Sequence, residues 1–189
     1  MTKNSPILVV LALMAATAPA PAQVALPDAK PVPRMQVIPL PDGQAAIECD
    51  GVELTRYHFG ADLRRPFLFP AIGPSGRSLT RMGHPHDPFT HSHHNSIWIA
   101  HDSVNGQSFW GDGGPGRIVP QKIVRYDDGN EAASIVALNH WVGTSDRTLL
   151  VETRGMTVRI LPGRQWFLTL DLTLDAQKEP VVLGATAFG

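Results

Sequence analysis

One cysteine, Cys49, is all that a chain of 189 residues contains, so an intrachain disulfide is excluded even in an oxidising compartment. That cysteine ends an apolar run and reads as a small buried hydrophobe. With no Gly-x-Ser-x-Gly either, neither a thiol nor a serine nucleophile has support. Charge of one sign is also missing: 16 basic residues stand against 17 acidic ones. No basic stripe argues for nucleic acid, and no acidic tail argues for a cationic partner. Past residue 22 no apolar run approaches the roughly 20 residues of a membrane-spanning helix. Helical periodicity is absent over the same length. The glycine clusters do not lie between a strand and a helix, which leaves a phosphate-cradling reading unsupported.

What is present begins with a secretory leader. Lys3 supplies the charged start, Ile7 to Met14 the apolar middle, and Ala18-Pro-Ala20-Pro-Ala22 a small-residue cleavage zone. The expectation is a signal peptide over residues 1–22, a Pro- and Ala-rich linker over 23–34, and a domain over 35–189 in the periplasm or outside the cell.

From Met35 the pattern is that of short strands parted by turn dipeptides. Asp42-Gly43 and Asp50-Gly51 separate Met35–Leu40, Gln44–Cys49 and Val52–Phe59. Both central positions of a tight hairpin turn need positive φ, which Asp-Gly supplies. Arg64–Pro70 and Ser96–His101 are expected strands, as are Arg117–Tyr126 and Glu131–Val142 around Asp127-Asp-Gly-Asn130. Arg147–Arg154 and Met156–Leu161 are expected to pair across Gly155. In Trp166–Asp175, Trp166, Leu168, Leu170, Leu172 and Leu174 alternate with mostly polar residues, the pattern of a half-buried antiparallel strand. The fold class is all-β, an antiparallel sandwich. Val181–Leu183 begins a further strand shortly before Phe188-Gly189. A missing partner strand there forfeits roughly 6–12 kcal/mol of burial, comparable with a domain's whole net stability of about 5–15 kcal/mol. The expectation is an incomplete sandwich, or one completed by strand exchange in a homo-oligomer.

The chemistry is concentrated between residues 81 and 102. Six of the eight histidines (His84, His86, His91, His93, His94 and His101) lie there, and imidazole is the side chain whose ordinary pKa lies closest to neutrality. Pro85 and Pro88 lack an N–H and fix φ, so residues 84–90 read as a stiff loop rather than helix or central strand. The functional expectation is geometric: these rings point together, with the nearby indoles beside them.

Arg65-Pro-Phe-Leu-Phe-Pro70, Gly73-Pro74, His91-Ser-His93-His94-Asn-Ser-Ile-Trp98-Ile-Ala-His101, Val104-Asn-Gly106, Phe109-Trp110 and Gly116-Arg-Ile118 resemble the bacterial "methane oxygenase PmoA" family. Asn139-His-Trp141, Glu152-Thr-Arg154 and Trp166–Leu174 continue the resemblance, which runs from Tyr57 to the end. It implies a soluble, often secreted protein without a settled activity, on a large β-sandwich similar to that of galactose mutarotase and other aldose epimerases. It also implies a histidine acid working with a carboxylate base from the C-terminal part of the fold, in chains that continue beyond this one.

Two chemistries and one plainer reading suit the residues. In a carbohydrate site, His93, His94 and His101 transfer protons, with Asp102 or Glu152 as base or holder, in epimerase- or lyase-type chemistry. Trp98 and Trp110 pack on a sugar ring, and Arg64, Arg81, Asn95, Asn105 and Arg117 bind hydroxyls or a carboxylate. In a metal site, His84, His86, His91 and His93 ligate zinc or copper, with Asp87 or Asp102 orienting a ring. Nothing matches a fixed spacing such as His-Glu-x-x-His. Glu152 and Arg154, two apart in a strand, equally describe a same-face ion pair. The third reading is a non-catalytic binding or structural sandwich whose histidines satisfy one another.

Overall fold

The computed structural model describes residues 29–87 and 89–187. The expected signal peptide and the first part of the expected linker lie outside the described residues, as does Pro88. From Val32 onward the chain forms one compact unit.

Two antiparallel meanders make up the unit. The first sheet runs β1 (Met35–Leu40), β2 (Gln44–Cys49), β3 (Val52–His58), β4 (Phe67–Ala71) and β5 (Ile97–Trp98), each paired with the next. The second runs β6 (Arg117–Asp127), β7 (Ala132–Val142), β8 (Thr148–Ile160) and β9 (Trp166–Ala176) in the same sequential order. The turns between the first strands form as their sequence requires: Asp42 and Gly43 have φ of 59° and 64°, Asp50 and Gly51 of 50° and 77°.

Strand alternation then builds the core. Met35, Ile47, Tyr57 and Leu68 from the first sheet meet Ile135, Ala137, Met156 and Val158 from the second. Each large side chain fully enclosed in this way contributes roughly 1.5–3 kcal/mol. A second apolar cluster gathers Val104, Phe109, Ile118, Trp141, Leu149 and Leu150. The fold is an all-β sandwich, as expected.

Three local expectations are corrected. β8 passes straight through Gly155, which pairs with Val136 on one side and Asp171 on the other. A lone glycine without a second turn residue does not reverse a chain whose neighbours on both sides keep the alternation of period two. The strand expected at Ser96–His101 contracts to Ile97–Trp98: Ser96 takes a positive φ of 63° that keeps it out of the ladder, and β4 pairs only Phe67 and Leu68 with Trp98 and Ile97. Val181–Leu183 adds no strand of its own: Leu183 forms an isolated bridge with Val104.

β9 is the outer strand of its sheet. Its inner-face row includes Leu170 opposite Met156, Leu172 opposite Arg154 and Leu174 opposite Glu152. Leu172 and Leu174 remain 38% and 40% exposed.

Candidate functional site

The histidine segment is a loop fastened at its neck. Met82 and Asn95 form an antiparallel bridge, the Gly83 N–H donates to the His94 carbonyl at 2.7 Å, and the Ser96 hydroxyl donates to the Thr80 Oγ1 at 2.6 Å. Two tight turns lie inside the neck. The Asp87 N–H reaches the His84 carbonyl and the His94 N–H the His91 carbonyl, both at 3.2 Å. Pro85, inside the first of them, lacks an N–H and so removes the competing option of a continuous strand there.

These turns gather the rings. Ring centres are 5.2 Å apart for His84 and His91, 4.9 Å for His91 and His94, and 4.6 Å for His93 and His94. His86 stands 6.0 Å from His84 at the outer end. At the inner end His93 lies 6.1 Å from Trp98 and 6.2 Å from Trp110, and the two indoles are 4.7 Å apart. Trp98 is brought there by β5. Trp110 comes from the glycine-rich segment after it.

Arg65 holds the two segments together. Its side chain is 1% exposed. One nitrogen donates to Asn95 Oδ1 at 2.9 Å and Asp112 Oδ1 at 3.1 Å, the other to the Trp110 carbonyl at 2.7 Å. The guanidinium also sits 5.0 Å from the centre of the Trp98 ring, within cation–π range. Asp112 in turn accepts from the Ser92 hydroxyl at 2.7 Å. A buried guanidinium bonded to a carboxylate, an amide and a carbonyl is a rigid fork. It orders the indoles and the base of the loop together.

Protonation states follow from the partners. Hydrogen bonds from the Thr90 hydroxyl and N–H hold the Asp87 carboxyl well below its ordinary range. The ionised carboxylate can only accept, so His91 Nδ1, 2.8 Å from Asp87 Oδ2, carries the proton. The lone pair of His91, when neutral, is therefore on Nε2. His84 Nδ1 instead accepts the His86 N–H at 3.2 Å, which places the His84 proton on Nε2. Burial lowers the pKa of His93, against the opposing pull of the Asp112 carboxylate, with Arg65 and His91 adding to the lowering. Burial also lowers that of His94, with the surrounding imidazoles adding to it. Both rings are neutral at neutral pH and able to accept a proton.

Of the residues expected to act, His84, His86, His91, His93, His94, Asn95, Trp98 and Trp110 come together here. Arg81 stays at the neck, its Nε donating to the Gly83 carbonyl at 3.2 Å. The others are engaged elsewhere. His101 Nε2 donates to the Gly184 carbonyl at 3.0 Å. Asn105 holds the same C-terminal segment, accepting the Val182 N–H at 2.7 Å. Arg64 bonds the carbonyls of Gly114 and Gly116, and Arg117 pairs with Asp146 at 3.3 Å. Glu152 is fully enclosed between the sheets, accepting from Trp141 Nε1 at 2.6 Å, Asn139 Nδ2 at 3.2 Å and Arg154. Its place on the inward row of β8 turns its lone pairs to those three donors and away from the loop.

Arg65, Ser92 and Asp112 are the residues that sequence reasoning missed. The signal for Arg65 was the Arg64-Arg65 doublet in the bend just before β4, two guanidiniums with different partners. One arginine staples the glycine loop and the other faces the indoles. Asp112 sits among glycines and carries no motif.

The metal expectation meets a mixed geometry. The carboxylate–His91 bond is the outer-shell arrangement that metal-ligating histidines favour. Yet His84 uses its Nδ1 lone pair on a backbone N–H, and among the described residues no three His, Cys, Asp or Glu side chains are set to share one ion. A zinc or copper ion would require the rings to turn.

None of these residues lines either of two clefts, of about 740 and 600 Å³, formed by other described residues. No curated protein and no solved structure matches the chain. A family model does match it, over residues 44–189, which span the whole histidine loop, both indoles and most of both sheets: the chain belongs to DUF6807, a family of unknown function.

Proposed function

We propose that the histidine–indole surface binds a saccharide and that its neutral imidazoles serve proton transfer on it. The observation that carries the reading is the Trp98–Trp110 pair, 4.7 Å apart, adjoining His93. Indole faces pack on the apolar side of a sugar ring, and imidazoles donate to and accept from its hydroxyls. His93 and His94, with lowered pKa values, suit the role of base. His91, oriented by Asp87, is poised to accept at Nε2. Arg65 is a positioning residue that holds the indoles. Epimerase- and lyase-type reactions are the classes such groups serve, and the likeness to mutarotase-type sandwiches belongs to the same proposal.

The test is titration with neutral and acidic monosaccharides followed by tryptophan fluorescence, alongside mutarotation, epimerisation and lyase assays. Binding that Trp98→Ala abolishes, with turnover that His93→Ala abolishes, is the expected pair of results. Equal traces for the wild type and both variants would sink the proposal. A second reading, a zinc or copper centre, is favoured by the Asp87–His91 bond alone. Calorimetric titration with each ion decides it, and binding no tighter than micromolar would remove it.

Location and assembly complete the proposal. The leader-like residues 1–22 support export to the periplasm or beyond, and amino-terminal sequencing of the exported protein checks it. The half-exposed Leu172 and Leu174 on β9 support a strand-exchanged homo-oligomer, which sedimentation velocity would reveal.

A further inference from the structure

The larger cleft, of about 740 Å³, lies away from the histidines. Three segments form it: the β2–β3 turn with Cys49 and Asp50, the 72–76 loop after β4, and the β8–β9 turn from Leu161 to Gln165. Leu54, Ile160 and Cys49 reach it from the margin of the main core. Val52 and Leu161 are 53% and 41% exposed within its lining. The volume lies within the roughly 300–1,000 Å³ usual for small-molecule sites.

Its lining holds two cations, Arg34 and Arg164, and two carboxylates, Asp50 and Glu131, and three of these four are paired. Asp50 is paired with Arg34 at 2.8 Å, and Glu131 with Arg159 at 3.2 Å. Arg164 has no hydrogen bond or ion pair with any described residue. It nevertheless occupies a left-handed backbone conformation, φ 61°, directly after Gly163 at φ 74°. Glycine or asparagine would adopt that conformation at less cost. An arginine kept there places one uncommitted guanidinium at the edge of an apolar cleft.

We infer that this cleft binds an apolar molecule bearing a single carboxylate, its body against Leu54, Ile72 and Ile160 and its carboxylate on Arg164. A single guanidinium offers the planar fork that matches a carboxylate. A phosphate dianion would call for more uncommitted positive charge than one arginine supplies. The lining holds no tryptophan, tyrosine or histidine, so the sugar chemistry proposed for the loop has no counterpart here. The two sites are independent.

Cys49, the chain's one cysteine, lies in the cleft wall and reports on occupancy. The experiment follows the rate at which N-ethylmaleimide labels it, with decanoate or the neutral 1-decanol present at equal concentrations below micelle formation. Decanoate should slow labelling saturably, by roughly fivefold or more, and decanol by less than about twofold. Arg164→Gly suits the left-handed backbone and removes only the cation; in it, decanoate should protect no better than decanol. Its melting curve controls for folding, and Arg164→Asn, equally suited to that backbone, is the substitute should the glycine variant melt early. Absence of protection by decanoate, equal protection by both probes, or decanoate protection that survives loss of Arg164 would each overturn the assignment.

Discussion

The chain pairs a carboxylate with a basic partner in two contrasting places. Glu152 and Arg154 stand two apart on one strand, with side chains 0% and 3% exposed. Asp87 and His91 stand four apart in a loop, with side chains 35% and 42% exposed. The first pair lies between the sheets and is surrounded by donors: Asn139 and Trp141 turn toward Glu152, and Arg154 reaches across to the Pro66 carbonyl at 3.3 Å. The second pair bonds only within its own loop and leaves its ring open on one side. A buried ion pair is costly to break because a lone charge remains in a poorly polarisable interior. An exposed pair contributes little to stability, and its value here lies in fixing which nitrogen of His91 carries the proton. Similar functional groups are enclosed in one place and left open to water in the other.

The largest effect that sharpens this contrast is expected from Glu152→Ala. It strands the Arg154 charge and the Trp141 N–H, and urea unfolding should show a loss of about 3–5 kcal/mol. Adding Arg154→Met should recover much of it, since an apolar pair replaces an ion pair at small net cost. A double-mutant cycle measures that recovery. Arg65→Ala comes next, at roughly 1.5–3 kcal/mol for the lost charged hydrogen bonds. It should also shift tryptophan emission, because Trp98 loses its cation and Trp110 its tether.

Acid should act on the loop more gently. The folded pKa values of His93 and His94 are lowered, so the unfolded chain takes up protons first. Their stabilising contribution is complete above the unfolded value near 6.5 and is lost as pH falls through the lowered folded values. Melting temperature should decline as pH falls below about 6.5, and the decline should flatten in a His93→Gln/His94→Gln variant. The smallest stability effect is expected from His91→Ala, within about 0.5 kcal/mol, although saccharide binding should fail in it. If His91→Ala destabilised the fold as much as Glu152→Ala, the contrast between the two pairs would collapse.

The core offers an alkaline counterpart. Burial pushes Tyr57 up to about 12, and Tyr126, the other tyrosine, is raised as well. Absorbance titration should show little tyrosinate at pH 10. Stability should fall above that pH, as the unfolded chain ionises while Tyr57 stays protonated.

How far the sequence could be read depended on the range of the forces involved. Asp42-Gly43 and Asp50-Gly51 announced their turns because positive φ is a property of the residues themselves. The row from Trp166 to Leu174 announced β9 because alternation is local. Gly155 misled because a glycine tolerates both a turn and a strand, and only its neighbours β7 and β9 decide between them. The gathering of five histidines with two indoles followed from their density along the chain. The separation of His101, only three residues past Trp98, did not, since it depends on a carbonyl at Gly184. Arg65 escaped notice for the same reason: its partners Asn95, Trp110 and Asp112 are thirty or more positions away. Glu152 carried both its meanings until the facing sheet was in place.

The bridge between Met82 and Asn95 has a consequence for variation. With that neck tied, doubling the number of residues it encloses would add only about 0.6 kcal/mol of closure cost. The same neck marks where a foreign binding loop could be grafted onto this scaffold.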